Sequence, residues 1–292
     1  MKEEKKYLDS YNINHLLKLD KESILLTTYS NFYILNIKTK KLSSMIEGHI
    51  KEITKIIKLK NENIVSGSND GLIKIWNFNN SLSLINSLSS HEDEIIELLE
   101  LSDKNLLSVD KIGKIVIWDI NKFKQIQIFL MNCIILNITE ISLFEYFIVS
   151  ERNFFVFQNN KKTIKNSFNN TKIISALFLK SQLICCTDNN INIYEINPLK
   201  NIKTLSINNN IATIKQFNDK YIYGISVDYN LYFFKSENFE QISCVTIKTY
   251  NFYEILYLNE YYAYCGSNNG LIEFNLNIND LIDDYVDNIV LI

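Results

Sequence analysis

Short runs of alternating apolar and polar residues recur along the chain, separated by clusters of turn-forming residues. The clearest example is the segment 66–77, SGSNDGLIKIWN, in which a turn cluster leads into a strand pattern that ends at Trp76. Asp70 and Gly71 suit a tight turn, because glycine tolerates positive φ and the carboxylate accepts bonds from nearby backbone N–H groups. This segment predicts a strand, a tight turn and a second strand.

The strand pattern that ends at Trp76 repeats at intervals of 37 to 42 residues. Seven anchor positions end such a pattern: Leu35, Trp76, Trp118, Phe157, Tyr194, Phe234 and Asn275. The positions one and three residues before every anchor hold large apolar side chains, which places each pair on one buried face of a strand. Each interval contains three further short apolar runs, so the repeat predicts four strands.

Seven repeats of four strands account for the 292 residues without a linker. The pattern therefore predicts an all-β fold, a seven-bladed β-propeller of four-stranded antiparallel blades, as a single domain over residues 1–292. An irregular β-sandwich without repeats is the alternative. We expect residues 3–8 to close the ring as the outer strand of the last blade. The apolar stripe within residues 281–290 favours a short C-terminal helix over a final β-strand.

The second repeat also carries a set of polar residues at characteristic places. Gly48 and His49 precede Trp76 by about 27 residues, and the SGSNDG turn lies between them and the tryptophan. A Gly-His dipeptide, this turn and a closing tryptophan resemble one repeat of the WD-repeat family. The third repeat resembles it in part, whereas the other five lack both the histidine and the tryptophan.

The resemblance implies a hydrogen-bonded structural tetrad in each of these two repeats. Its members would be His49, Ser66 (or Ser68), Asp70 and Trp76, and then His91, Ser108 and Trp118 with Asp110 in a shifted turn. A buried aspartate needs donors, and an imidazole supplies one. A Ser-His-Asp trio can also indicate hydrolysis, but the repeat context favours the structural interpretation.

Composition and charge indicate which partners, compartment and ligands to expect. The net charge of −3 and the single arginine, Arg152, make nucleic acid an unlikely partner. Five cysteines without metal-ligand spacing predict buried thiols in a reducing compartment, so we expect an intracellular protein of the cytoplasm or nucleus. The start of the sequence lacks the apolar core of a signal peptide, and no apolar run is long enough to span a membrane. We expect no metal, cofactor or small-molecule substrate.

The resemblance implies a non-catalytic protein–protein interaction scaffold, a subunit of a larger assembly that binds one or more proteins through its loop faces. Exposed aromatic residues and arginine are enriched at binding hot spots, and five such residues are candidates: Tyr29, Arg152, Tyr229, Tyr250 and Phe252. The alternative is a reader of phosphopeptides, phosphoinositides or RNA that uses Arg152 and the lysines at 38–41 and 161–162. An enzyme would need a carboxylate and histidine cluster at the axis, and the sequence predicts none, since His15 is expected to be structural or exposed.

Overall fold

Seven antiparallel sheets follow one another along the chain. They are seen in a computed structural model that describes residues 11–158, 161–167, 172–179, 181–196, 198–207, 210–228, 230–245, 252–259, 262–268 and 270–275. No helix occurs among these residues. The predicted all-β, seven-bladed β-propeller is confirmed. Residues 3–8 and 281–290, predicted as a closing strand and a helix, lie outside the described residues.

The strands of the seven blades have the following bounds. Blade 1 contains β1 His15–Lys18, β2 Ser23–Thr27, β3 Asn31–Asn36, β4 Lys41–Leu42 and β5 Ile46–Glu47. Blade 2 contains β6 Ile53–Lys58, β7 Ile64–Ser68, β8 Leu72–Asn79 and β9 Ser81–Ser89. Blade 3 contains β10 Ile95–Glu100, β11 Leu106–Asp110, β12 Lys114–Asp119 and β13 Lys124–Leu130. Blade 4 contains β14 Ile135–Ser142, β15 Glu145–Ser150, β16 Asn153–Gln158 and β17 Lys161–Ser167.

The remaining blades continue the series. Blade 5 contains β18 Ser175–Leu179, β19 Gln182–Cys186, β20 Asn190–Ile196 and β21 Leu199–Ser206. Blade 6 contains β22 Ile211–Gln216, β23 Tyr221–Ser226, β24 Leu231–Lys235 and β25 Gln241–Val245. Blade 7 contains β26 Phe252–Asn259, β27 Tyr262–Ser267 and β28 Gly270–Asn275 among the described residues. Strands pair in chain order within each blade, except that β4 and β5 both pair with β3.

The core lies between blades, because the two faces of each third strand pack against different neighbours. Trp76 packs in a cluster with Phe32 and Ile34 of blade 1, and its ring meets that of Phe32 edge-on at 5.2 Å. Ile73 and Ile75, on the other face of the same strand, pack toward blade 3. The same division holds at the anchors of blades 1 to 6: Leu35, Trp76, Trp118, Phe157, Tyr194 and Phe234. Each anchor therefore faces the preceding blade.

The anchor predicted for blade 7, Asn275, is wrong by one residue. Ile272 packs toward blade 6 and Leu271 toward blade 1, which is the reverse of the predicted arrangement. The physical reason is the length of the hairpin. Ala263 pairs with Phe274, eleven residues later, as Ile24 pairs with Leu35 in blade 1, whereas Ile64 pairs with Trp76, twelve residues later, in blade 2. Since side chains alternate between faces, a hairpin shorter by one residue moves the anchor position from 275 to 274.

Polar groups also link every blade to the next around the channel. Among the described residues, each interface has at least one such link: Asn14–Glu52, Lys55–Glu97, Ser102–Glu140, Asn137 with the Ala176 carbonyl, the Ile214 amide with Ser175, Lys215–Glu254, and His15–Glu254. Because these links lie beside the packed inter-blade clusters, they fix how one blade is positioned on the next.

Blade 7 packs on blade 1 as the other neighbouring blades pack on each other. The Ile13 amide donates to the Ser267 carbonyl over 3.0 Å, and Leu35 and Tyr264 share one apolar cluster. Lys40 Nζ lies 2.6 Å from the Tyr264 hydroxyl and forms an ion pair with Glu273. This ion pair fits the lysine-rich start and acidic end of the sequence. These contacts between the described residues of blades 7 and 1 therefore close the ring of seven blades.

Two glycines show how similar this seam is to an internal interface. A Cβ at Gly67 would lie 2.4 Å from Ile95 Cγ2 in the next blade, and a Cβ at Gly266 would lie 2.3 Å from the Ile13 carbonyl oxygen. Both glycines stand one residue before the last residue of the second strand in their blade. A residue at or just before the first strand of the next blade thus approaches the same backbone position at both interfaces, and only glycine leaves room for it.

We expect Gly266→Ala to destabilise the protein by about 1–3 kcal/mol, because the new methyl group meets backbone rather than a movable side chain. Urea unfolding followed by fluorescence measures this loss. The matched control is Gly224→Ala, whose Cβ would lie 3.0 Å from Ile211 Cγ2, so that a side-chain methyl has to move by only a few tenths of an ångström. We expect a smaller loss for the control. An unchanged stability in Gly266→Ala would contradict the closed seam.

Candidate functional site

The four polar residues predicted in blade 2 form one continuous network. Trp76 Nε1 donates to Ser66 Oγ over 2.8 Å, and Ser66 Oγ lies 2.7 Å from His49 Nε2. His49 Nδ1 is 3.1 Å from Asp70 Oδ2. The Asp70 carboxylate also accepts from the amides of Ile50 and Leu72, at 3.2 and 2.9 Å. The network ties the loop before blade 2 to its second and third strands.

Ser66, and not Ser68, occupies the tetrad position in blade 2. Ser68 Oγ instead accepts from the Asp70 amide over 3.1 Å. The Ser66 side chain is fully buried between two strands. A substrate could not reach this hydroxyl without opening the blade, so the Ser-His-Asp geometry fits a structural role.

Blade 3 builds the same network with its carboxylate taken from another backbone position. Trp118 Nε1 donates to Ser108 Oγ over 2.8 Å, and His91 Nε2 lies 2.7 Å from that oxygen. His91 Nδ1 is 2.8 Å from Asp110 Oδ2. Asp110 ends the second strand, where blade 2 has Ser68, and it is fully buried. Asp110 therefore stands at another backbone position than Asp70, as expected, and its carboxylate still bonds the histidine of its blade.

Burial keeps both histidines neutral. Burial lowers the pKa of His49 and of His91 below its usual value, and this effect outweighs the aspartate beside each ring. Burial raises the pKa of Asp70, but the Leu72 amide, His49 and the Ile50 amide together lower it overall. A neutral imidazole that donates from Nδ1 to the aspartate and accepts at Nε2 from the serine satisfies every polar atom of the network.

The five blades without His and Trp use a simpler contact that the sequence analysis missed. The residue at or next to the end of the second strand places its hydroxyl 2.9 to 3.5 Å from a carbonyl at or next to the start of the third strand: Thr28 to Asn31, Ser150 to Asn153, Thr187 to Asn190, Ser226 to Asn230 and Ser267 to Gly270. In blade 6 the Ser226 hydroxyl also bonds Asp228 Oδ1. This position corresponds to Ser68 and Asp110 in blades 2 and 3. A serine, threonine or aspartate at a constant place in all seven repeats was the signal available in the sequence.

A cavity of about 550 Å³ opens at the mouth of the channel, on the face that carries the His49 loop. Its wall includes Tyr29 and Tyr253, together with Asn14, Glu52 and Glu94. Glu94 pairs with Lys111 Nζ at 3.0 Å. Within the described part of the chain, Glu52 accepts from Asn14 Nδ2 over 2.8 Å and forms no ion pair. The mouth therefore combines aromatic surface with a carboxylate that has no counter-ion among the residues the structure describes.

A carboxylate and histidine cluster does exist at the axis, contrary to the sequence analysis. One carboxylate oxygen of Glu254 lies 2.5 Å from Lys215 Nζ. The other oxygen accepts a hydrogen bond from the Leu16 amide over 2.9 Å and lies 3.4 Å from His15 Nδ1. Burial pushes the pKa of Glu254 upward, but Lys215 and His15 outweigh it and hold the pKa well below its usual value. Both oxygens are occupied, so the cluster fastens blades 6, 7 and 1 together and offers no free base.

Of the five candidate partner-binding residues, the structure describes the side chains of Tyr29 and Arg152. Tyr29 is 59% exposed at the lip of the cavity, and Arg152 is exposed in the turn between β15 and β16. Phe252 is the first residue of β26, and Tyr229 and Tyr250 lie outside the described residues. The structure therefore places one candidate, Tyr29, in the mouth, where Asn14, Glu52 and Tyr253 join it.

Other features limit the chemistry of the described residues. No group of three or more His, Cys, Asp and Glu side chains in this part of the chain is arranged to hold a metal ion. Nor does this part contain a helix that is long and apolar enough to cross a membrane. Burial raises the pKa of the Cys186 thiol to about 12 and that of the Cys185 thiol well above its usual value, which makes both poor nucleophiles.

No protein-family model matches the sequence, and no curated protein is significantly similar to it. The fold and the His–Ser–Trp hydrogen bonds in blades 2 and 3 are consistent with WD repeats.

The lowered histidine pKa values predict that stability falls as the pH falls. An unfolded chain binds protons at histidine near its usual pKa of about 6.5, whereas the folded protein keeps His49 and His91 neutral to lower pH. Their contribution is therefore complete above about pH 6.5 and is lost below it. Urea unfolding at pH values from about 7.5 to 5.5 measures this slope.

The double variant His49→Gln and His91→Gln provides the comparison. We expect it to lose about 1–3 kcal/mol per site near neutral pH, because each removes a buried hydrogen-bond partner. The stability of the double variant should also change less with pH than that of the wild type. His15 is present in both proteins. Equal pH slopes in both proteins would show that the two histidines do not titrate as described.

Proposed function

We propose that this chain is a divergent WD-repeat propeller that acts as a non-catalytic scaffold, a subunit of a larger assembly that binds a protein partner at the mouth of its channel. The observation that carries the proposal is the cavity between Tyr29, Tyr253 and Glu52 at the inner ends of the first strands. Tyr253 lies on the paired strand β26, and the Glu52 side chain is held by Asn14 Nδ2 at 2.8 Å. A partner that inserts there would lose little entropy in ordering the site.

The chemistry of the mouth favours a partner segment that carries a positive charge. Glu52 lacks a counter-ion among the described residues, and the positive charge of Lys215 is balanced by Glu254. Tyr29 and Tyr253 offer ring surface on which the stem of a lysine or arginine can pack. A segment with one such side chain would match both features.

A non-catalytic role is supported by the state of the reactive groups. The tetrad serines are buried, Glu254 is held by Lys215 and by the Leu16 amide, and the thiols of Cys185 and Cys186 are poor nucleophiles. The five cysteines are free, which supports our proposal that the protein works in the reducing cytoplasm or nucleus. Cys185, Cys186 and Cys265 are buried as predicted, whereas the prediction of a buried thiol is wrong for Cys244, which is exposed, and for Cys133, which is partly exposed.

The alternative reader function gains less support. Lys38 pairs with Glu22 at 2.5 Å, and Lys40 is engaged in the seam with Tyr264 and Glu273. A phosphate would therefore have to compete with existing carboxylate partners at this cluster. The side chains of Lys161 and Lys162 are not among those described.

The proposal is tested by charge reversal at the mouth. We expect affinity purification of the wild-type protein from its own cells to recover a stoichiometric protein partner. The variant Glu52→Lys should bind the purified partner at least tenfold more weakly, because it places a like charge against the partner's cation. Isothermal titration calorimetry measures the affinity.

The matched control is Glu62→Lys, on the opposite face, where the corresponding turn of blade 3 already holds Lys104. We expect this variant to bind as the wild type does. A partner that is indifferent to Glu52→Lys would contradict binding at the mouth. A protein recovered alone that turns over a metabolite would contradict the scaffold proposal itself.

A further inference from the structure

The turn between β14 and β15 carries large apolar side chains on the face opposite the mouth. In this tip, residues 141–144, Ile141 is 40% exposed, Leu143 is 58% exposed and Phe144 is 56% exposed. Tight turns in water are usually built from glycine, asparagine, aspartate, serine or proline. Three exposed large apolar residues in four positions at one hairpin tip, two of them in the turn itself, therefore need an explanation.

The other blades show what this turn normally contains. The position of Phe144 is held by Glu62 in blade 2 and by Lys104 in blade 3, and all three residues have positive φ, between 62° and 70°. The same turn is Asp20-Lys21-Glu22 in blade 1 and contains Asp219 and Lys220 in blade 6. The backbone thus repeats, and blade 4 alone among these blades places apolar side chains on it.

Packing within the described part of the chain does not compensate for the apolar side chains of this turn. Phe123 and Phe239 also have positive φ, but both rings pack against inter-blade clusters, and Phe239 is only 4% exposed. Phe144 combines the disfavoured backbone conformation with a largely exposed ring. A residue that breaks a local rule without a gain inside the protein marks a functional position.

The tip is held in place from both sides. Ser142 Oγ donates to Glu145 Oε2 over 2.8 Å across the turn. Glu140 accepts from the amide and the hydroxyl of Ser102 in blade 3, at 2.7 and 3.0 Å. Leu143 and Phe144 therefore project from a fixed hairpin, which reduces the entropy lost when a partner covers them.

The surroundings of the tip are acidic among the described residues. Asp103, Glu140 and Glu145 flank it, and none of them forms an ion pair with a described lysine or arginine. Burial, followed by the charges of Glu140 and Asp103, raises the pKa of Tyr146 to about 12, as expected in a negative field. Anionic lipid and the acidic residues 280–287 of this chain would both meet like charge here.

We propose that the tip formed by Leu143 and Phe144 is a docking knob for a second protein, which presents an apolar pocket edged by lysine or arginine. A convex pair of large apolar side chains fits a pocket better than a flat surface, and buried aromatic anchors carry much of the energy at protein interfaces. The knob lies on the face opposite the mouth cavity, so this inference does not depend on the binding proposed there.

The first experiment measures the stability of Phe144→Asn by thermal unfolding. Asparagine accepts positive φ more readily than phenylalanine does, so we expect an unchanged or higher melting temperature. Lys104→Asn, at the equivalent position of blade 3, is the matched control and should behave similarly. A melting temperature lowered well below that of the control would show that Phe144 packs within the protein, which would overturn the proposal.

The second experiment identifies what covers the knob. A photo-crosslinking amino acid is placed at position 144 of the full chain, or at position 104 as control, and the cells of origin are irradiated. We expect one protein to crosslink from 144 and not from 104, through a residue in an apolar pocket beside lysine or arginine. Absence of such a product would overturn the proposal, as would a crosslink to a second copy of this chain or to its own residues 276–292.

Binding of the purified crosslinked protein completes the test. We expect Phe144→Asn and Leu143→Ser each to weaken it at least tenfold, Lys104→Asn and Glu52→Lys to leave it unchanged, and added salt to weaken it. An affinity unchanged by Phe144→Asn would overturn the proposal. So would Phe144-dependent sedimentation with vesicles of phosphatidylcholine and phosphatidylserine, because a membrane would then be the occupant. The unchanged response to Glu52→Lys keeps this test separate from that of the mouth.

Discussion

The structure depends on the burial of both faces of each third strand against two different blades. Because the two faces must be apolar at alternating positions, the sequence is constrained at every anchor and at the residues before it. Trp76 and Ile75, neighbours in sequence, belong to different clusters for this reason. No blade buries both of its faces alone, so the seam between blades 7 and 1 must be as well packed as any other interface. The contacts of Ile13, Leu35 and Tyr264 meet that requirement.

Hydrogen bonds then decide how the loops sit on this packed ring. In blades 2 and 3, a neutral histidine joins a loop to two strands through a buried serine and an aspartate. In the other five blades, a single hydroxyl holds the turn between the second and third strands. Around the channel, Glu254 and the other polar links position the first strands. The mouth cavity is formed by the ends of these first strands, so its shape is set by the same contacts that hold the ring together.

The fold could be predicted from the sequence because the alternation of apolar positions survives even where the tetrad residues are lost. The anchor in blade 7 could not be placed correctly, since a hairpin shorter by one residue changes which side chains share a face, and the apolar pattern at 272 and 274 fits either choice. The tetrads could be predicted from the sequence because the members of each tetrad stand within one repeat. The Glu254 cluster was not, because its residues come from three blades and are joined only when the ring closes. Phe144 was hidden for another reason: in a sequence, an apolar residue at a turn reads as the end of a strand.

The hydroxyl at the end of the second strand has a consequence for how such repeats can diverge. In blade 2, Ser68 already bonds the Asp70 amide while the tetrad is intact. A blade that loses its tryptophan or its histidine by single substitutions therefore retains a polar group that supports the hairpin. Regular blade architecture therefore does not require a complete tetrad in every blade, and five of the seven blades keep it with a hydroxyl at this position.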